Sequence, residues 1–236
     1  MTLFLKRAIT AGILLLISIG CGTHTQPASN FDSAHAAAVD TVAATKVPSI
    51  GPWMMDSDGT PAHWLDEMYQ GKHLREPINI ILYDRNAKSG TDAKGRLLSA
   101  LVQAGFPARI GHSNDYYGLI SGKRYEQLGD GKPSTFADGP FEFDNNHGRI
   151  FGPSAYNGGY LWIGAFSREK VAPFDKIKHQ YVSFNQSRDA IAQRLDANTI
   201  FHRTGFINSG NVLIDRPDTT TGDHDGIAVM LETRGY

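Results

Sequence analysis

The spacing of apolar and polar residues predicts a strand, a loop and a helix at the start of a folded domain. Residues 77–83 are a short apolar, β-branched run that ends in a polar loop, as a buried strand does. Over residues 91–104 the leucines recur on one helical stripe, and Gly105 follows as a stop signal. Residues 106–110 then return the chain toward the sheet.

Strand patterns dominate the remainder of the chain, separated by turns rich in Gly, Pro and Asn. The Asn157-Gly158 pair is a strong hairpin signal. A second helix is predicted to end near residue 197, with Asn185 or Ser187 as its cap. The predicted strands of this half cover residues 149–151, 160–166, 180–184, 210–215 and 226–231.

These elements predict a mixed α/β fold over residues 77–236. We expect a single compact domain with a central mixed or antiparallel sheet and two main helices. Residues 51–76 precede it and are predicted to form a packing arm. In that arm the large apolar side chains have the spacing of one face of a short helix; they are Trp64, Leu65, Met68 and Tyr69.

The first residues have the order of a secretory signal. A basic pair, Lys6 and Arg7, precedes an apolar core that is too short to span a bilayer comfortably. Residues 17–21 (ISIGC) resemble the bacterial lipobox, which predicts a signal peptide over residues 1–20 and lipidation of Cys21. An ordinary signal peptide with a stray cysteine is the alternative.

The segment after the signal predicts a tether. Residues 21–50 are rich in Ala, Thr, Ser, Gln and Pro, and they are expected to form a lipidated N-terminus and flexible linker. Gly22, rather than Asp, follows the cysteine, which favours the outer membrane over the inner one. The predicted localisation is therefore the bacterial cell envelope, with the membrane as a partner through the anchor.

Composition removes several classes of function. Cys21 is the single cysteine, so the sequence offers no disulfide framework, no Cys-rich zinc site and no cysteine nucleophile in the mature domain. The formal net charge is −1, which leaves no basic field to hold nucleic acid. We therefore expect no nucleic-acid partner.

Six motifs occur in a fixed order along the domain: residues 77–82 (PINIIL), 101–106 (LVQAGF), 146–151 (NHGRIF) and 162–168 (WIGAFSR), His179 with 187–189 (SRD), and 223–229 (DHDGIAV). In this order they resemble the module at the C-terminus of LssY-type membrane proteins, where it follows a PAP2-like lipid phosphatase region. Phe106 and Gly148 depart from that family's pattern. The resemblance implies an α/β module, and the phosphatase activity of the longer proteins is not carried over.

Candidate site residues lie on the predicted strands and at the start of the second helix. His147 and Arg149 alternate with Gly148, so they point to the same face of a sheet. His179 opens another strand, and Arg188 lies near a helix start, whose amides favour an anion. If these strands pair, the four side chains gather into a set suited to a phosphate or carboxylate group.

The same residues suit acid–base chemistry. His147 or His179 would carry the proton, and Asp144 or Asp189 would orient the imidazole. In the competing interpretation, Arg188 and Asp189 bind buried polar groups and fix the helix onto the sheet, while the histidines hydrogen-bond to the backbone.

No metal or other cofactor is predicted, because no spacing of the HExxH type occurs among these residues. His224 lies between Asp223 and Asp225, and the calcium-loop spacing is missing there, so a solvated turn is expected.

The sequence leaves three functions open. The first is an accessory or ligand-binding module of a cell-envelope lipoprotein, for an anionic or lipid-derived envelope component. The second is a hydrolase that acts on an envelope phosphoester or lipid through His147 and His179. The third is a structural adaptor for envelope proteins. The sequence does not decide whether the protein is an enzyme.

Overall fold

The computed structural model describes residues 46–109, 115–129, 131–172 and 175–234. The predicted signal peptide, the lipidation site at Cys21 and the linker up to residue 45 lie outside the described residues. The described part contains the helices α1 (Gly90–Gln103) and α2 (Phe184–Asn198). Its strands are β1 (His63–Tyr69), β2 (Lys72–Arg75), β3 (Ile80–Asp84), β4 (Ala108–Arg109), β5 (Tyr117–Ile120), β6 (Lys123–Glu126), β7 (Thr135–Ala137), β8 (Asn145–Tyr156), β9 (Gly159–Ala172), β10 (Asp175–Ser183), β11 (Phe201–Asn208), β12 (Thr219–Thr220) and β13 (Ile227–Thr233).

An eight-stranded sheet forms the centre of the domain. Seven strands run in the order β11-β13-β3-β9-β8-β7-β4, and β10 pairs with the distal half of β9. Among the described pairs of this sheet, β3 and β13 run parallel and the others antiparallel. The predicted fold class, a mixed α/β domain with a mixed sheet and two main helices, is confirmed.

Helix α1 forms where the leucine stripe predicts it. The side chain of Ser89 caps its start by accepting a hydrogen bond from the Asp92 amide at 3.1 Å. At its end Gly105 adopts a φ of +78°, and the Phe106 amide donates to the Leu101 carbonyl, as in a glycine-terminated helix. The inward face carries Ala93, Leu97, Ala100 and Leu101, so this amphipathic stripe lies against the sheet.

Helix α2 begins earlier than the sequence pattern indicates. Ser183 is the cap, because its hydroxyl accepts from the Gln186 amide at 2.9 Å. The expected caps, Asn185 and Ser187, lie inside the first turn instead. Ile191 and Leu195 are fully buried against the same core as α1.

Each face of the sheet carries its own core. On one face the two helices cover alternate residues of the central strands, such as Leu82 and Trp162. The opposite face is covered by the chain before β1 and by the β5–β6 hairpin, with Ile81 and Ile163 among its buried residues. Successive strand residues therefore point into different cores.

Two predictions of local structure were wrong. Trp64, Leu65, Met68 and Tyr69 lie on a β-hairpin rather than a helix, and Leu65 and Met68 are 38% and 52% exposed, so these residues share no buried helical face. The last strand pair uses residues 201–208 rather than 210–215. A bulge in β11 near residue 204 breaks the two-residue period by which strands are recognised.

Candidate functional site

The register of three strands brings the two predicted histidines to one face of the sheet. His147 of β8 lies opposite Ser167 of β9, and His179 of β10 lies opposite Val171 of the same strand. Residues directly opposite each other in a sheet share a face. The expectation that His147 and His179 share a face is therefore confirmed, and Arg149 lies two residues beyond His147 on that face.

Glu169 of β9 joins the two imidazoles. Its Oε2 lies 3.0 Å from His179 Nδ1 and 3.7 Å from His147 Nδ1. Asn145 donates to the other carboxylate oxygen, Oε1, at 2.7 Å. His147, Glu169 and His179 form what we call the histidine–carboxylate cluster, whose side chains are 6%, 2% and 11% exposed.

A second buried ion pair lies beside this cluster. Arg149 Nη1 is 4.0 Å from Glu76 Oε1, and the Arg149 guanidinium lies over the Tyr116 ring at 4.7 Å. Burial raises the pKa of Glu76, an effect that Arg149 partly offsets and Glu169 reinforces. Burial also raises the pKa of Glu169, while the charges of His179 and Arg149 and the Asn145 hydrogen bond lower it.

A tryptophan and a serine hold the inner imidazole. Trp64 Nε1 donates to Ser167 Oγ at 3.0 Å, and Ser167 Oγ lies 3.4 Å from His147 Nε2. Trp64 and Ser167 are each 1% exposed, so the β1–β2 hairpin covers this end of the cluster. The chain of contacts fixes the orientation of the His147 ring from the side opposite Glu169.

A surface groove opens next to the cluster. It has a volume of about 340 Å³ and lies between the β1–β2 hairpin and β10. The lining residues are Trp64, Glu67, Met68, Tyr69 and Leu74 on the hairpin side and Lys178, His179, Gln180 and Tyr181 on the β10 side. We refer to it as the groove; His179 is the cluster member that lines it.

The remaining predicted site residues are not part of this arrangement. Asp144 accepts a hydrogen bond from the Val171 amide at 3.1 Å and is exposed. Arg188 and Asp189 belong to α2, which packs on the other face of the sheet, so the expectation that Arg188 joins the histidines was wrong. The side of the sheet that a helix covers is set by the crossover of the chain, which the local sequence does not encode.

Arg188 instead connects α2 to the end of the chain. Its side chain is fully buried; Nε lies 2.8 Å from Asp189 Oδ1, and Nη1 donates to Asp225 Oδ1 at 2.6 Å and to the Ile227 carbonyl at 2.9 Å. This contact set matches the structural interpretation of Arg188 and Asp189 given above. Arg149, paired with Glu76, is likewise compensated inside the protein.

The N-terminus of α2 is filled by an anion from the chain itself. The carboxylate of Asp223 accepts from the Phe184 amide at 2.8 Å, and the hydroxyls of Tyr181 and Ser183 also donate to it. The following residue, His224, is 3% exposed, with Nε2 2.8 Å from Asn211 Oδ1, so the expected solvated turn was wrong. Burial lowers the pKa of His224 to about 4.

Glu169 and Glu76 are the residues that sequence reasoning missed. Alternation along β9 from Leu161 places Glu169 on the same face as Ile163, and extending that period past Ser167 would have identified it. Glu76 follows β2 and meets Arg149 only through the tertiary fold, so no local signal predicts the pair.

Further properties concern metals, membranes and relatives. Within residues 46–234, as far as they are described, no group of three or more His, Cys, Asp or Glu side chains is arranged to hold a metal ion. The helices of the described part are too short or too polar to cross a membrane.

Comparison with protein-family models, with curated proteins and with solved structures yields no match, so the resemblance to the LssY C-terminal module stays a prediction.

Proposed function

We propose that this protein binds an anionic, lipid-derived component of the cell envelope in the groove. The observation that carries the proposal is the composition of the two walls. The hairpin wall offers Met68, which is 52% exposed, and the partly buried Tyr69 to an apolar group, and the β10 wall offers Lys178 and His179 to a negative charge. An amphiphile with one anionic end matches both walls.

The charges of the groove suit a ligand that lies across it. Lys178 is exposed and His179 is backed by Glu169, so an imidazolium there would be oriented by the carboxylate behind it. Glu67 lies on the hairpin side and would repel an anionic group from that wall. The negative end of the ligand is thus directed toward β10.

We propose further that the protein works at a membrane surface. The predicted acyl anchor at Cys21 would keep the domain near lipid, in the outer membrane by the preference for Gly22. Envelope lipids, and proteins that carry or process them, are the partners that we propose.

Thermal unfolding of the purified protein tests the proposal. Dihexanoyl phosphatidylglycerol, used below its micelle concentration, supplies short acyl chains and one negative charge. Binding to the native state at a hundredfold excess over Kd should add about 2.7 kcal/mol to the free energy of unfolding. Dihexanoyl phosphatidylcholine, which has no net charge, should give a smaller rise in Tm, and equal shifts or no shift would contradict the proposal.

Matched lysine variants locate the binding site. Lys178→Gln removes a positive charge from the groove and should weaken binding of the anionic lipid by up to about fivefold, as expected for one exposed charge pair. Lys123→Gln removes an equally exposed lysine from the β5–β6 hairpin and should leave Kd unchanged. If both variants bind like the parent protein, the lipid does not occupy the groove.

Hydrolysis of an envelope ester or phosphoester is the second candidate. It is favoured by one observation, the 3.0 Å contact between His179 Nδ1 and Glu169 Oε2 at the edge of the groove, which resembles an oriented general base. Release of fatty acid or phosphate from the same lipid probe distinguishes the two functions. Turnover that is lost in His179→Gln would establish hydrolysis, whereas binding without turnover leaves the binding function.

A further inference from the structure

Among the described residues, the buried carboxylates and guanidinium around the histidine–carboxylate cluster do not balance in charge while both imidazoles are neutral. Glu76 and Glu169 are two carboxylates, Arg149 is one guanidinium, and the three side chains are between 2% and 4% exposed. With both carboxylates ionised, one negative charge is left over where an uncompensated charge is costly. A single proton shared by the histidine–carboxylate cluster removes the imbalance.

We propose that His147, Glu169 and His179 hold one proton in common, and that capture of an anion in the groove draws in a second proton. Binding then strengthens as the pH falls. This inference rests on the binding function proposed above and adds the regulation of the same site.

The geometry allows the proton to be shared without movement of the backbone. Both Nδ1 atoms approach the same oxygen, Oε2 of Glu169, while Asn145 fixes the other oxygen. Ser167, which accepts from Trp64, holds the far side of the His147 ring. Burial, which raises the pKa of Glu169, also favours a protonated cluster.

Charged and titratable groups lie beside the cluster or line the groove next to it. Strand β8 contributes His147 and Arg149, the chain after β2 contributes Glu76, and β10 contributes Lys178 and Tyr181 along with His179. Glu67 faces the groove from β1. Lys178 and Glu67 are exposed and screened by solvent, so the anion acts most directly on His179, the cluster member that lines the groove.

Thermodynamic linkage between anion binding and protonation predicts a measurable proton uptake. An anion of charge −1 beside a neutral cluster should be accompanied by uptake of about one proton. The Kd should then rise with pH, by at most about tenfold for each pH unit. Dihexanoyl phosphatidylglycerol is a suitable probe because its phosphodiester does not titrate between pH 5 and 8.

Calorimetric titration of the purified protein with this probe measures the proton uptake directly. Experiments between pH 6 and 8, in pairs of buffers with different ionisation enthalpies, give the number of protons bound per lipid. We expect uptake in the parent protein and in Lys123→Gln, and loss of the uptake in His179→Gln. Binding of the probe without proton uptake would overturn the inference while leaving the proposed function intact.

A measurement without ligand tests the shared proton independently. The ¹³C resonance of the Glu169 carboxyl, assigned by its loss in Glu169→Gln, should titrate above the ordinary glutamate value of 4.5 and should shift in His147→Gln. An ordinary titration that is indifferent to His147 would overturn the inference whether or not lipid binds. A raised titration with no lipid binding would reject the proposed function and the linked uptake, and would retain the shared proton alone.

Discussion

Replacement of Arg188 by methionine should destabilise the domain more than any surface change. Methionine keeps an unbranched apolar arm in place of the methylene chain but removes the charge and all donors. In the native protein the guanidinium is 0% exposed and contacts Asp189 Oδ1, Asp225 Oδ1 and the Ile227 carbonyl at 2.6–2.9 Å. The variant therefore loses the contacts that connect the N-terminal part of α2 to the start of β13.

The expected loss follows from these contacts. Hydrogen bonds to a charged group contribute about 1.5–3 kcal/mol each, and a buried carbonyl without its donor costs about 1–3 kcal/mol. The side chains of Asp189 and Asp225 are 32% and 27% exposed, so water recovers part of their loss. We expect Arg188→Met to lower the free energy of unfolding by about 3–5 kcal/mol.

Urea unfolding followed by circular dichroism measures the loss, with the m-value as a check that the denatured state is unchanged. A decrease in Tm of about 10 °C should accompany it in a domain of this size. Arg203→Met, which removes an exposed arginine from β11, is the control and should stay within about 0.5 kcal/mol of the parent. A loss below about 1 kcal/mol, or one equal to that of the control, would show that the buried ion pairs contribute little.

Two further predictions concern His224 and Gly148. Burial lowers the pKa of His224 from 6.5 to about 4, so the folded protein favours the neutral imidazole. The stability that depends on this neutral form is complete above about pH 6.5. As the pH falls toward 4, the free energy of unfolding should decrease by about 3 kcal/mol because the unfolded chain takes up the proton first. The raised carboxyl pKa values of Glu76 and Glu169 have the opposite effect on stability as the pH falls. The test is therefore the difference in free energy of unfolding between His224→Gln and the parent protein, measured in urea at pH 7 and at pH 4.5. Parallel pH profiles of the two proteins would refute the prediction. A Cβ at Gly148 would lie 2.4 Å from the Ala165 carbonyl oxygen, so Gly148→Ala should cost about 1–3 kcal/mol in urea unfolding. Gly95→Ala, in helix α1 with open space around it, should instead stabilise by about 0.5–1 kcal/mol, and similar effects of both changes would contradict the packing argument.

Sequence periodicity predicts the parts of this fold whose burial is regular. Helix α1 was recognised because its leucines face one core, and β3 and β9 because their runs are apolar on both sides. The β1–β2 hairpin was missed because Leu65 and Met68 are exposed, so their spacing imitates a helical face that is not buried. The turn of this hairpin is recognised only from the structure, in which Gln70 and Gly71 have positive φ angles.

The candidate site, like the fold, is predictable from the sequence only in part. Alternation along single strands was sufficient to place His147 and Arg149 together, and strand pairing added His179. The partners of Arg149 and Arg188 come from Glu76 and Asp225, which are distant in the chain, and such long-range pairs have no local signature. A predicted cluster of positive charge therefore became two compensated ion pairs and a histidine–carboxylate cluster.

The parallel pairing of β3 with β13 determines when the domain can fold. Ile80 lies opposite Val229, so the middle of the sheet joins the beginning and the end of the described chain. Contacts of such long sequence separation slow folding, because a large loop must close before they form. A chain synthesised from its N-terminus can therefore complete the centre of this sheet only after β13 has left the ribosome, so the domain folds late in synthesis.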